Sequence, residues 1–374
     1  RIWCSGRTAS AGSLADLEAA SLLRKGSAVP VRAQREAMQI QADATPAAEQ
    51  PALEQAMAAV ELSSSDPCRG CTEPTGEFKQ AGFVRIEQLV PPATAAHLAV
   101  RLERVLRGEY DTGVPPDKRP KVPKGPGALG FSGERRGART VQMINVWKAD
   151  SAFAALARSP TLGRLVAQTA GWASGARLAQ DQVWAKPPGA PPLVFHRDSP
   201  YFDFAPSDVV TVWVALDEMV PELGPLEYVR GSHLWGDGRT GTAAHFFDPD
   251  QRALLRSAAM REGVDPEAID SLIVSMAHMR AGGASLHDGR TWHGSGPNES
   301  DTAPRRGLGI HFVPACATFA PGAELGKLWA PLKLPGTDAL PDALLPVTWV
   351  PSPQVTHTDR AEDLQQSSID TETH

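Results

Sequence analysis

The chain has 374 residues, a formal net charge of −6, 42% hydrophobic and 21% charged residues, and only four cysteines. That composition suits one large globular domain with tails and excludes a disulfide framework. It also excludes a protein whose main partner is nucleic acid, because no basic stripe is available to neutralise phosphates, and no apolar run approaches the roughly 18–20 residues of a membrane span.

In chain order, residues 1–76 are rich in Ala, Ser and Gln and read as a flexible extension, with short helices over Leu14–Leu23 and Gln50–Leu62. The Arg/Ser/Ala-rich run Arg1–Gln41 has the composition of an organelle transit peptide, but Asp16, Glu18 and Glu36 count against it. The expectation is a cytoplasmic or organellar protein; because the sequence starts at Arg1 rather than Met, a transit peptide stays open. Cys68 and Cys71 have zinc half-site spacing without a second Cys/His pair at a finger-like distance, so they read as incidental or structural.

Order is expected from Glu77, with a helix end, a glycine and a strand reaching Ile86. Pro91 and Pro92 start a helix whose Leu98, Leu102, Val105 and Leu106 recur at helical spacing. A long loop, Asp111–Gly137, carries Lys118, Lys121, Lys124, Arg135 and Arg136, which could meet an anionic substrate. Val141–Trp147 reads as a strand, Ala152–Ala170 as one amphipathic helix and Arg177–Lys186 as a strand. Strands follow at Val209–Leu216 and Leu226–Val229. Residues 236–280 form an insertion over one mouth of the sheet, with helices over Pro249–Met260 and Pro266–His278. Strand character returns at Gly283–His287 and Gly307–Val313, and 351–374 reads as a disordered tail. The class is mainly β: a sandwich or jelly roll flanked by α-helices.

The chemistry gathers at Phe195-His196-Arg197-Asp198-Ser199-Pro200-Tyr201, between a proline-rich turn and the β-branched run Val209–Val214. His196 and Asp198, two apart, project to one side of an extended segment and supply two ligands of a 2-His-1-carboxylate metal site. The third must come from far along the chain, and His293 in Trp292-His293-Gly294-Ser295-Gly296 is the best candidate. A His-x-Asp pair alone is weak, and a second one, His357-x-Asp359, lies in the polar tail. Only the first pair has strand and turn context.

The run from His196 and Asp198 through Tyr201, Phe202, Phe204, Pro206, Ser207 and Asp208, with Trp213 and the later His293-Gly-Ser-Gly-Pro-Asn298, resembles the phytanoyl-CoA dioxygenase family. The resemblance covers about Glu77 to Val313 and implies a double-stranded β-helix, jelly-roll or cupin-like, as a domain over 77–350. It implies Fe(II) held by His196, Asp198 and His293, with 2-oxoglutarate as co-substrate. It favours Arg305 over Arg306 as anchor of the 2-oxoglutarate distal carboxylate; strand alternation sends only one of the two inward. Ser295, Trp213, Gln182 and Asn145 are the further 2-oxoglutarate-binding candidates. His287 and His233 are expected to be structural, and His245 and His278 to lie on the surface. An Asp at 198 rather than Gly or Ala implies hydroxylation rather than halogenation.

The expected activity is therefore an Fe(II)- and 2-oxoglutarate-dependent dioxygenase that hydroxylates a small molecule with O2 and releases succinate and CO2. The alternatives are a catalytically silent metal-binding scaffold and a zinc hydrolase using the same three ligands. Neither the primary substrate nor the oligomeric state is legible.

Overall fold

The computed structural model describes residues 74–119, 140–236 and 250–351. The expected helices before residue 74, Cys68 and Cys71, most of the Asp111–Gly137 loop with Lys121, Lys124, Arg135 and Arg136, His245, and the His357/Asp359 pair lie outside the described residues. Among the described residues, no helix is long and apolar enough to cross a membrane.

The described elements are α1 (Pro74–Ala81), β1 (Phe83–Ile86), α2 (Pro92–Leu106), β2 (Val141–Ile144), α3 (Ser151–Ala157), α4 (Pro160–Ala170) and β3 (Ala176–Lys186). Then come β4 (Leu193–His196), β5 (Phe204–Ala205), β6 (Val210–Ala215), β7 (Leu226–Val229), α5 (Ala253–Arg261), α6 (Ile269–Leu272) and β8 (Ile273–Ser275). The chain closes with β9 (Ala284–Asp288), β10 (His293–Ser295), β11 (Arg305–Pro314), β12 (Thr318–Phe319) and β13 (Val347–Trp349). Every pairing is antiparallel. The larger sheet runs β1-β9-β6-β11-β3-β13, with β2 also on β3, and the smaller runs β4-β10-β7-β8.

Alternation along the central strands builds two environments from one sheet. Val210, Val212 and Val214 of β6, with Leu308, Ile310 and Phe312 of β11, pack outward against Leu98 and Leu102 of α2 and Phe153 and Leu156 of α3. The intervening residues, Thr211, Trp213, Gly309 and His311, face the smaller sheet across a cavity. This is the jelly-roll arrangement: helices behind the large sheet, the site between the sheets.

Four local expectations need correction. The strand expected over Val141–Trp147 stops at Ile144, because Asn145 turns into the left-handed region (φ 59°) and a 3-10 turn over Val146–Lys148 follows. The single helix expected over Ala152–Ala170 is two. Pro160, which lacks an N–H for α3 to continue, opens α4 instead, behind the cap of Ser159 Oγ on Leu162 N. The helix expected over Pro266–His278 is helical only to Leu272. Ile273–Ser275 are an edge strand whose backbone pairs with β7, a conformation that the β-branched Ile273 and Val274 favour. Within the insertion, α5 puts Leu255, Ala258 and Ala259 against Phe195 and Trp292. It thus covers the back of the small sheet rather than a mouth of the barrel.

One buried carboxyl holds the end of β2. Asp181 accepts the Trp147 backbone N–H at 3.1 Å, and burial pushes its pKa up to about 8 despite the backbone donors of Trp147 and Val146. Between the ordinary carboxylate value near 4 and about 8, the folded protein holds a proton that the unfolded chain releases. This term makes stability fall as pH rises through that window. Asp181→Asn removes the titration, so its thermal midpoint relative to wild type should climb from pH 4 to 8 and then level off. A constant offset across that range would show that Asp181 is ionised in the folded state.

Candidate active site

The antiparallel pairing of β10 with β4 sets His293 directly opposite His196. Their neighbours Trp292 and Phe195 turn outward to α5, so both imidazoles turn inward, with ring centroids 4.3 Å apart. Asp198 follows at the start of a 3-10 turn, where its N–H and that of Ser199 both donate to Gly289 O, at 2.8 and 2.9 Å. Gly289 is needed there: a Cβ would stand 2.6 Å from Ser199 Oγ and 2.8 Å from Val209 Cβ.

The ring orientations follow from the backbone. His196 Nδ1 donates to Val194 O at 2.9 Å and His293 Nδ1 to Thr291 O at 3.0 Å, so both present a bare Nε2 to the cavity. These nitrogens lie 3.8 and 3.7 Å from Asp198 Oδ1, and the three ligand atoms fall within 4.8 Å of one another. Burial, then the neighbouring imidazole of His293, lowers the His196 pKa to about 4; burial does the same for His293. Both are neutral near pH 7, the form that ligates a metal. Burial works against ionisation of Asp198, but His293 and the His287 hydrogen bond outweigh it and hold the carboxyl well below its usual range.

The other carboxylate oxygen is occupied. Thr211 Oγ1 donates to Asp198 Oδ2 at 2.7 Å and His287 Nε2 lies 3.1 Å from it. The His287 Nδ1 accepts from Tyr228 OH at 3.0 Å, which in turn meets Ser285 Oγ at 2.8 Å. His287 therefore stands behind the carboxylate, outside the His/Asp/His cluster.

On the large sheet, β11 alternation turns Arg305 into the cavity while Arg306 points away to Asp217 and Glu103. Arg305 is buried, donates from Nε and Nη2 to Gly224 O at 3.3 and 3.2 Å, and lies 5.5 Å from the Trp213 ring. Burial lowers its pKa to about 10, so it stays a cation near neutral pH. Among the described residues, no side-chain carboxylate is hydrogen-bonded to its guanidinium. Trp213 lies over Gly307, where a Cβ would come within 2.3 Å of the indole.

The other expected residues divide. Gln182 and Lys118 both line the cavity. Ser295 is buried beside His293, with its Oγ accepting from Lys186 Nζ at 2.8 Å, and is not part of the cavity wall. Asn145 does not reach the cavity: the left-handed turn directs its amide to Asp117, Trp147 and Asp181. His233 lies in a 3-10 turn and hydrogen-bonds Lys79 O, while His278 is exposed. His311 and Thr211 were missed. Counting in twos from Arg305 along β11 reaches His311, the signal that marks it.

The cavity is about 440 Å³ and is lined by His196, Asp198, His293 and Arg305 together with the aromatic side chains of Tyr201, Phe202, Trp184 and Trp329. Its donor set suits one divalent ion and its buried cation suits a carboxylate.

A family model of phytanoyl-CoA dioxygenase matches residues 78–307. A probable alpha-ketoglutarate-dependent hypophosphite dioxygenase of Stutzerimonas stutzeri is 32% identical over 143 residues, 38% of this chain and 46% of that protein. The dioxygenase cdmA of Talaromyces verruculosus is 30% identical over 139 residues, 34% of this chain and 38% of that protein. The matched stretches thus span less than half of each curated relative. Among solved structures, the non-heme alpha ketoglutarate dependent carbocyclase SnoK from nogalamycin biosynthesis superposes with a TM-score of 0.54 at 21% identity, over 75% of this chain and 97% of that one. The epimerase SnoN from the same biosynthesis gives 0.53 at 23%, over the same shares. At such identities these two similarities speak to the fold.

Proposed function

The chain belongs to the phytanoyl-CoA dioxygenase family, and from its site we propose an Fe(II)- and 2-oxoglutarate-dependent dioxygenase that hydroxylates a small molecule, with release of succinate and CO2. The carrying observation is the pairing of a His196/Asp198/His293 facial cluster with a buried, carboxylate-free Arg305 in one cavity. The proposed catalytic unit spans 77–350, with 236–280 inserted in it.

The donor set fits ferrous iron: two neutral imidazoles and one carboxylate occupy one face and leave positions for a bidentate 2-oxo acid and O2. Iron bound there would supply O2 activation coupled to oxidative decarboxylation of the 2-oxo acid. The chain's own groups do the rest. Arg305 takes the distal carboxylate, Trp213 and Gln182 flank the co-substrate, and the aromatic lining excludes water from the reacting face. A zinc hydrolase has no use for a buried cation facing the ligand pocket, and a silent scaffold has no need to keep one desolvated.

Incubating the protein with Fe(II), 2-oxoglutarate and O2 should release succinate slowly even without the primary substrate. No succinate under any condition, with iron bound, would favour the scaffold. His287→Ala should weaken metal binding about 10- to 100-fold, as loss of an outer hydrogen-bond partner does, and should keep some turnover. Damage equal to that of His293→Ala would make His287 a ligand and overturn the assignment.

A further inference from the structure

We propose that Gln182 and His311 are positioning residues: through Thr211 they fix the carboxylate of Asp198, as the inner part of a one-way hydrogen-bond relay beginning at Lys118. The proposal rests on the reading of Asp198 as a metal ligand.

The direction is set at the outer end. An ammonium can only donate, so Lys118 Nζ gives a proton to Gln142 Oε1. With its oxygen committed, Gln142 turns its NH2 inward and donates to Gln182 Oε1 at 2.8 Å. Gln182 in turn presents its NH2 to His311 Nε2 at 2.7 Å. That nitrogen must therefore be bare, and the imidazole proton sits on Nδ1. From there it is donated to Thr211 Oγ1 at 2.8 Å. A hydroxyl has one proton, and Thr211 sends it to Asp198 Oδ2 at 2.7 Å.

No link in this chain has a free choice. The opposite His311 tautomer would put two donors face to face at the 2.7 Å Gln182 contact. It would also draw the Thr211 proton toward Nδ1 and strip it from Asp198. Thr211, His311 and Asp198 are all buried, and the Phe202 ring lies 5.2 Å from that of His311. His287 holds the same oxygen from the other side. Oδ2 is pinned twice, which leaves Oδ1 facing the Nε2 atoms of His196 and His293. A carboxylate free to rotate would lose that orientation, and the strength of a metal site depends on such outer hydrogen bonds.

The test uses Co(II) alone, without any 2-oxo acid, with affinity read by competition against a chelating dye and geometry by the visible absorption of the bound ion. Thr211→Val, which keeps the shape and removes the hydroxyl, should weaken Co(II) about 10- to 100-fold; Thr211→Ser should stay close to wild type. Gln182→Leu should weaken it about tenfold, the low end of the same range, and shift the absorption in the same direction as Thr211→Val. The double variant should be weaker than Thr211→Val by no more than about twofold, since Gln182 acts only through Thr211. An unchanged Co(II) affinity in Gln182→Leu, or losses that simply add in the double variant, would overturn the relay. His293→Ala is the control: Co(II) bound as in wild type there would sink the metal reading, and the relay with it.

Discussion

His293→Ala is expected to abolish tight Fe(II) binding and turnover together. The side chain contributes one of three atoms that lie within 4.8 Å of one another, and it comes from the strand opposite His196. Loss of an outer partner costs about 10- to 100-fold in metal affinity, and loss of a ligand should cost more than that. The apoprotein should not suffer in proportion, because His293 is a desolvated neutral imidazole whose retained hydrogen bond is to a backbone carbonyl two residues away. Metal titration beside thermal unfolding of the metal-free protein separates the two effects. Equal loss in both would mean that His293 serves packing rather than coordination.

Arg305→Ala is expected to weaken 2-oxoglutarate by ~10- to 100-fold or more, since each charge-assisted bond to a carboxylate is worth roughly 1.5–3 kcal/mol and each ~1.4 kcal/mol is tenfold. Arg305→Lys should recover only part, because an ammonium cannot reproduce the planar fork. Arg306→Ala should behave in the opposite way. Its guanidinium is bound by Asp217 and Glu103 on the far face of the strand, so stability should fall by about 1–3 kcal/mol with co-substrate affinity nearly unchanged. Anaerobic titration of 2-oxoglutarate into the Fe(II) proteins, run beside thermal unfolding, reads both. If Arg306→Ala is the variant that loses 2-oxoglutarate, the anchor is Arg306; if neither does, the co-substrate assignment falls.

What the chain's own pattern determined was periodic or adjacent. The two-residue spacing singled out His196 and Asp198, although Asp198 stands past the end of β4 in helical conformation at the head of a 3-10 turn rather than on the strand. Alternation allowed only one of Arg305 and Arg306 to face inward, and apolar recurrence marked α2 and the central strands. Local chemistry that competes with periodicity was misread. Pro160 divides an otherwise continuous helical stripe, and Asn145 ends β2 by entering the left-handed region. Ile273-Val274 became strand only because β7 offered an open edge.

The position of His287 needed the fold. Six residues before His293, it is a neighbour in sequence, yet it sits on β9 of the large sheet while His293 sits on β10 of the small one. The two rings approach Asp198 from opposite walls, one at each oxygen. Thr211 and His311 come together for the same reason: β6 and β11 pair in a register that places them directly opposite each other. Sequence spacing specifies which face of a strand a residue occupies. Only the pairing of strands far apart in the chain decides which residues share that face, and here it surrounds one carboxylate with four imidazoles and a hydroxyl.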